Sequence, residues 1–321
     1  MATITRRRGE QPAGQLLLVI VAALSLAALV NADAMVERAE RKPLGADRDR
    51  ALYIWHPVQD VAHITQLHRL RALGDWIVGN EKGGDLVASV AQSEDGDEVR
   101  TPPELRVPTA DEPLRVYVGG DSVVRDAGES FLRIAAEDPR LSPALHYEIA
   151  TGLSRPDYYD WPAALVNDMD SLEPEIALIM FGGNDAQGIV EPDGTVQPSV
   201  DTPGWRAEYG RRVELVMDSL YAKDRLVLWL LQPPMRDGGF NRRIQVINEV
   251  VREAARGRSW VTIVDTAGVL GGADGGYADR LPGYDEDVRQ DDGIHLSRAG
   301  ADLLAKHLLR LIDDAIAAVA G

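Results

Sequence analysis

From Leu114 onward the chain alternates short apolar runs with longer stretches in which apolar residues recur every three or four positions. Leu114 to Val118, Leu145 to Ala150, Ile176 to Phe181, Leu226 to Leu231 and Val261 to Val264 have the length and composition of buried strands. Val123 to Glu137, Trp205 to Ala222, Arg242 to Arg256 and Ser297 to Ala318 carry helical periodicity. Repeated strand-helix alternation predicts a parallel sheet covered on both faces, an α/β domain spanning 114–321. In such a sheet ligands bind beyond the carboxyl ends of the strands, so the residues that follow each strand are the ones to inspect.

The first 113 residues follow a different pattern. An apolar run from Leu16 to Val30 comes after Arg6, Arg7 and Arg8, which is the order of a signal segment or signal anchor, and 1–36 is expected to be a cytoplasmic tip and membrane helix. The run reaches only about 23 Å at about 1.5 Å per residue, short of a hydrocarbon core of about 30 Å unless Asn31 to Val36 extend it. Ala32-Asp33-Ala34 offers a signal-peptidase pattern, so cleavage is the alternative to a retained anchor. With the arginines ahead of the run, everything after it is expected outside the membrane. Ile54, Val58, Val61, Ile64, Leu67 and Leu70 predict an amphipathic helix in a juxtamembrane segment, 37–80, with Pro57 as its start or a kink. The Gly-, Asp-, Glu-, Ser- and Pro-rich stretch 81–113 reads as an exposed acidic linker.

Composition narrows the chemistry. Of the 321 residues 45% are hydrophobic and 26% charged, and the formal charge of −17 opposes binding along a phosphate backbone, so no nucleic acid is expected as partner. The absence of cysteine excludes disulfides, thiolate metal sites and cysteine catalysis, leaving hydroxyl, carboxylate and imidazole groups. His56, His63 and His68 are spaced by seven and five and share no helical face with a carboxylate ligand; no metal is expected. There is no G-x-S-x-G, H-E-x-x-H or P-loop, and Asp285 to Asp292 lacks the register of a calcium loop.

The loops after the strands carry a coherent set of groups. The first strand runs into Gly119-Gly120-Asp121-Ser122, the second into Thr151-Gly152 and the third into Gly182-Gly183-Asn184-Asp185, while Asp292-Gly293-Ile294-His295 precedes the last helix. A serine needs a base, the base an acceptor on its other nitrogen, and the oxyanion preorganised donors. Ser122 at a strand-to-helix turn suits the nucleophile, with its own N–H at a helix start. Gly152 can bring a bare N–H to the same oxygen and Asn184 an amide. His295 suits the base and Asp292, three residues earlier, its orienter in preference to Asp291. Asp121 and Asp185 read as loop-bracing acceptors, and His146 and His307 as a strand and a helix-face residue. Tyr158, Tyr159 and Trp161 suit either a platform for a sugar ring or core packing.

These four blocks, in this order, resemble the SGNH (GDSL-type) hydrolase family over about Leu114 to Ala318. The resemblance implies a three-layer α/β/α, flavodoxin-like domain with about five parallel strands. It also implies Ser122, Asp292 and His295 as catalytic residues, Ser122, Gly152 and Asn184 as oxyanion hole, and no cofactor. Thr151 to Pro162 and Pro233-Pro234-Met235-Arg236 look like a bacterial subgroup with one amino-terminal membrane segment. The expected activity is an extracytoplasmic serine esterase acting on acyl, chiefly acetyl, esters of small molecules or polysaccharide. Two alternatives remain: transfer of acetyl groups onto envelope polysaccharide with a membrane-bound O-acyltransferase partner, and a non-catalytic glycan-binding module.

Overall fold

Five parallel strands form the sheet on which the larger unit is built: β1 (Leu114–Gly120), β2 (Leu141–Tyr147), β3 (Ile176–Met180), β6 (Leu226–Leu230) and β7 (Val261–Val264), in the order β2-β1-β3-β6-β7. The computed structural model describes residues 13–40, 46–65, 102–156, 158–190, 196–197 and 199–320, and the chain divides into two units, Met1–Gly83 and Gly84–Gly321. Every residue of β3 and β6 is buried, as a strand with helices on both sides requires. On one face α4 (Ser122–Ala135) and α9 (Arg298–Ala320) pack together and against the sheet through Phe131, Leu304, Leu308 and Ile312. On the other lie α5 (Trp161–Leu172), α6 (Pro203–Ser219) and α7 (Gly238–Ala254), whose Trp161, Trp205 and Tyr209 are fully buried. The remaining elements are a two-residue hairpin, β4 (Ile189–Val190) with β5 (Val196–Gln197), and the single turn α8 (Ala267–Leu270).

Four strands fall where the periodicity puts them; β2 does not. It spans Leu141–Tyr147 rather than Leu145 to Ala150, and includes Pro143. Proline is tolerated because β2 is an edge strand, paired only with β1, so its missing N–H faces away from the ladder. The chain leaves the sheet after Tyr147, and Ala150 adopts a left-handed φ of 59°. Helix α5 was not anticipated. It starts at a cap, Asp160 accepting from Ala163 N–H with Pro162 in the first turn, and stops at Glu173, whose φ is 43°.

The final part of the expected linker is held against this unit. Arg106 donates to Glu175 Oε1 at 2.6 Å and to the carbonyls of Glu112 and Pro113, and Glu104 N–H donates to the Lys223 carbonyl. Glu175, only 5% exposed, also accepts from Arg115 N–H. A buried carboxylate needs such partners, so 102–113 behaves as a strap rather than a tether. Residues 81–101 lie outside the described residues.

In the amino-terminal unit α1 (Ala13–Val30) is followed by a turn at Asn31 and by α2 (Ala32–Glu40) and α3 (Ala46–Ile64). Among the described residues no helix is long and apolar enough to cross a membrane. Eighteen residues give α1 about 27 Å, and continuation into α2 brings in Asp33, Glu37 and Arg38. Instead of prolonging an apolar span, α2 buries Ala32, Val36 and Ala39 and packs on α3. Pro57 sits inside α3, whose Ile54 and Val61 are exposed, so the apolar stripe is not the buried face of this helix. Leu67, Leu70 and His68 lie outside the described residues.

The strap makes a prediction. Arg106→Ala leaves Glu175 short of its principal charged donor and is expected to lower the unfolding free energy by about 1–3 kcal/mol in urea titration, with faster proteolysis within 102–113. Unchanged stability and unchanged cleavage would show the strap to be passive.

Candidate active site

The turn from β1 into α4 is made by Gly120-Asp121-Ser122. Gly120 has φ +150°, and a Cβ there would run into the Met180 carbonyl of the neighbouring strand, so only glycine lets β1 and β3 stay this close. Asp121 is the N-cap of α4, its Oδ1 accepting from Val123 N–H at 2.9 Å. Its Oδ2 accepts from Gly182 N–H at 3.0 Å and Gly183 N–H at 2.9 Å, which locks the Gly-Gly-Asn-Asp loop after β3 to the serine turn. Burial lifts this carboxyl to about 7 despite the opposing N–H donors, and the charge of Asp185 adds to the rise. Ser122 is the first residue of α4, so its N–H belongs to the first-turn donors that the helix cannot satisfy itself.

The loop after β2 is held from several sides. Asn184 Nδ2 donates to the Thr151 carbonyl at 2.9 Å, which places its amide beside Gly152 and leaves the second amide hydrogen available. Asp185 turns inward and accepts from Ser154 N–H at 2.7 Å and from the Tyr209 hydroxyl at 2.9 Å. A Cβ on Gly152 would strike the Asp185 carboxylate; the glycine is needed for this approach and not for a positive φ. Arg212, itself paired with Glu208 at 2.6 Å, donates to the carbonyls of Leu153 and Ser154. Trp161 Nε1 donates to Thr151 Oγ1.

The fourth loop, before α9, brings the imidazole. His295 Nε2 lies 3.1 Å from Ser122 Oγ and Nδ1 lies 2.6 Å from Asp292 Oδ2. Asp292 Oδ1 accepts from the N–H groups of Ile294 and His295, so the carboxylate is fixed by the turn it starts. Burial raises the Asp292 pKa, but the His295 ring and these two N–H groups outweigh it and hold the carboxyl well below its usual range. For His295 burial favours the neutral ring; the hydrogen bond and charge of Asp292 outweigh this and raise the pKa above 6.5. Asp291 takes no such part, and only its carbonyl is engaged, by Arg236.

All five sequence-predicted site residues therefore lie in four loops on one edge of the sheet, and each loop is tied to a neighbour through backbone groups. Such an arrangement can pass a proton from Ser122 to His295 while the Ser122 N–H, the Gly152 N–H and the Asn184 amide are at hand for an oxygen that gains charge. Among the described residues no group of three or more His, Asp or Glu side chains could hold a metal. Trp161 is fully buried against Phe181 and is core, not an exposed platform. Tyr158 lies under the Arg155 guanidinium, and Tyr159 is turned towards His146. His146 is more than a strand residue: its Nδ1 lies 2.5 Å from Asp168 Oδ2 and its Nε2 2.8 Å from the Tyr159 hydroxyl, bracing the loop that carries Gly152. His307 is on α9, as expected.

Three supporting residues went unread in the sequence. Asp126 lies one helical turn after Ser122, a spacing that could have exposed it, and its charge also favours protonated His295. Gln290 Nε2 ties Asp126 to the Leu296 carbonyl. Arg289, 3% exposed, donates to the Ile294 and Pro234 carbonyls, joining the histidine loop to the Pro-Pro-Met-Arg segment. Burial pulls its pKa down to about 10; no local sequence pattern signals that role.

A five-stranded parallel sheet with these blocks gathered on its carboxyl edge is similar to the arrangement that the resemblance to SGNH (GDSL-type) hydrolases implies. The chain belongs to the DUF459 family, described as a protein of unknown function, which matches residues 115–311. No curated protein matches it. Solved structures similar to it include an alpha/beta hydrolase enzyme from the metagenome of Lake Arreo, Spain, at 18% identity and TM-score 0.45, covering 61% of this chain and 94% of that one. A putative SGNH hydrolase from Slackia heliotrinireducens shares 18% identity, with TM-score 0.43 and coverage of 62% and 98%. An acetyl xylan esterase from Geobacillus stearothermophilus shares 16%, with TM-score 0.41 and coverage of 61% and 93%.

The His295 geometry has a sign that can be measured. Asp292 stabilises the imidazolium, so Asp292→Asn is expected to move the His295 titration to lower pH in imidazole NMR spectra. A titration that stays put or rises would break the assigned pairing.

Proposed function

We propose that the protein is a serine esterase that cleaves acyl esters through an acyl-serine intermediate. The observation that carries the reading is the hydrogen-bonded series from Asp292 through His295 to Ser122, set against Gly152 and Asn184. In the first half-reaction Ser122 Oγ attacks the ester carbonyl carbon as His295 Nε2 takes its proton. The carbonyl oxygen gains charge and receives hydrogen bonds from Ser122 N–H, Gly152 N–H and Asn184 Nδ2. Collapse breaks the bond to the alcohol oxygen, which leaves with the proton from His295. In the second half water gives a proton to His295 and attacks the acyl carbon, and the acid departs as Ser122 regains its hydrogen. Asp292 keeps the Nδ1 hydrogen in place throughout and stabilises the imidazolium without taking its proton. Small acyl groups, acetyl above all, are the proposed substrate class.

The proposal includes a location. Arg6 to Arg8 precede the apolar run, and α1 exposes Val19, Val21, Leu24 and Leu26, apolar surface suited to a bilayer. A membrane-held chain with its hydrolase domain on the extracytoplasmic side accounts for both.

Ser122→Ala and His295→Ala are each expected to reduce hydrolysis of p-nitrophenyl acetate to background with the circular dichroism spectrum unchanged. Asn184→Ala is expected to lower kcat by about 10²–10³ with little change in KM; half the normal rate in a folded Ser122→Ala chain would refute the reading. For location, protease added to intact cells should remove the hydrolase domain while fractionation leaves the full-length chain in the membrane. A shielded, freely soluble chain is the opposing result.

A further inference from the structure

A second concavity lies on the carboxyl side of β6 and β7, formed by α7 and the loop that follows α8, with a volume of about 290 Å³. Its lining is unusual for a fold crevice because it is almost wholly polar. Along α7, Asn241, Gln245, Asn248 and Arg252 follow one another at spacings of four, three and four, a single helical stripe turned to this space. Across from them stand Asp265, Asp274 and the backbone of Gly275 and Gly276. Pro234 and Ala267 contribute the only apolar side chains of the lining.

Gln232 lines the buried end of this space. It is 2% exposed, yet neither its Oε1 nor its Nε2 has a hydrogen-bond partner among the described residues. A buried side-chain amide without partners costs about 1–3 kcal/mol, and such groups as a rule have a partner. Asn248 does not relieve it, because both ends of its amide are committed to the Gln232 backbone: Oδ1 accepts from the N–H and Nδ2 donates to the carbonyl, each at 2.9 Å. The Gln232 backbone is thus clamped while the amide at the end of its side chain offers one acceptor and two donors. Asn241 Oδ1 is similarly spent on Met235 N–H, which leaves its Nδ2 as a donor.

The chemistry selects a ligand class. Arg252 is already paired with Asp265 at 3.0 Å, so with Asp274 the walls carry more negative than positive charge and disfavour phosphate, sulfate or carboxylate ligands. An acyl chain finds no apolar wall. Amides that both donate and accept match hydroxyl groups, which do the same, and the volume stands at the lower end of the range of ligand pockets, about 300 Å³.

We propose that this pocket binds a neutral sugar residue. The Gln232 side chain also packs against Gly182, where an added Cβ would meet its Cγ and Nε2. One wall of the pocket is therefore the back of the loop that presents Asn184, and a sugar held here belongs to the glycan whose ester is cleaved. That last step rests on the esterase reading; the binding site does not.

The two are separated by measuring binding on the full chain carrying Ser122→Ala, and ester turnover on the wild type. The probes are neutral disaccharides of glucose, galactose and xylose, with glucuronate and glycerol as controls, followed by titration calorimetry and amide NMR shifts. At least one disaccharide is expected to bind with Kd in the millimolar range, glucuronate at least tenfold more weakly, and glycerol not at all. Gln245→Ala and Asp274→Ala, both at exposed positions, should each weaken the disaccharide at least fivefold, and Gln232→Leu should abolish its binding. No binding of any neutral sugar at tens of millimolar, binding untouched by both exposed-site variants, or equal binding of glycerol would overturn the pocket. Sugar binding that persists in a wild-type chain without esterase activity would uphold the pocket and remove the esterase reading alone.

Discussion

Asp121 is fully buried and accepts three backbone N–H groups, from Val123 at the start of α4 and from Gly182 and Gly183 after β3. That one carboxylate fixes how far Ser122 stands from Asn184, because the two residues lie at the ends of the segments it joins. A carboxylate suits the task better than a longer polar side chain: two oxygens on a short stem can serve donors from a helix start and a loop with little conformational entropy to lose. Asp185 repeats the device one loop further on, joining the Gly152 loop to α6 through Ser154 N–H and Tyr209. The segments that carry the donors of the proposed oxyanion hole are thus held by buried acids as well as by the bond from Asn184 to the Thr151 carbonyl.

These acids also explain the electrostatics. Asp121 and Asp185 are both desolvated, which raises their pKa values, and the charge of Asp185 adds to the rise at Asp121, while Asp292, served by an imidazole and two N–H groups, is driven the other way. The carboxylate held charged against the imidazole is therefore Asp292, and the charges of Asp126 and Asp121 also favour protonated His295. Arg289 sits behind the His295 loop, its Nη1 donating to the Ile294 carbonyl and its Nη2 to the Pro234 carbonyl. Its position links the histidine loop mechanically to the segment after β6, and the polar pocket opens from the same segment.

Much of this was legible in the order of residues, and the exceptions have physical causes. Strands β1, β3, β6 and β7 are buried apolar runs whose sequence leaves little choice. Strand β2 begins at Leu141, ahead of the apolar run from Leu145, because an edge strand tolerates Pro143. Ser122 and Asn184 were readable because they closely follow β1 and β3, and Asp292 and His295 because they stand three apart in the turn before the last helix. Gly152 was readable as a position but not as a reason: its constraint is the approach of Asp185, a contact 33 residues away in the chain. Arg106 against Glu175 and Arg289 against two carbonyls are likewise long-range pairs, invisible to any periodicity. Trp161 carries no sign in the sequence of whether it stacks on a ligand or fills the core; Phe181 and Thr151 settle that by packing.

Loops usually exchange their amide hydrogens quickly because their N–H groups point to water. Here the amides of Gly182, Gly183 and Ser154 end on carboxylates that solvent does not reach. Their deuterium uptake should then follow the opening of the sheet itself rather than local fraying, which makes these loops part of the same cooperative folding unit as β1 and β3. Sequence drift in such a protein is free to remodel the outer rim of the cleft so long as Asp121 and Asp185 are kept, since the donors these two acids hold are main-chain atoms.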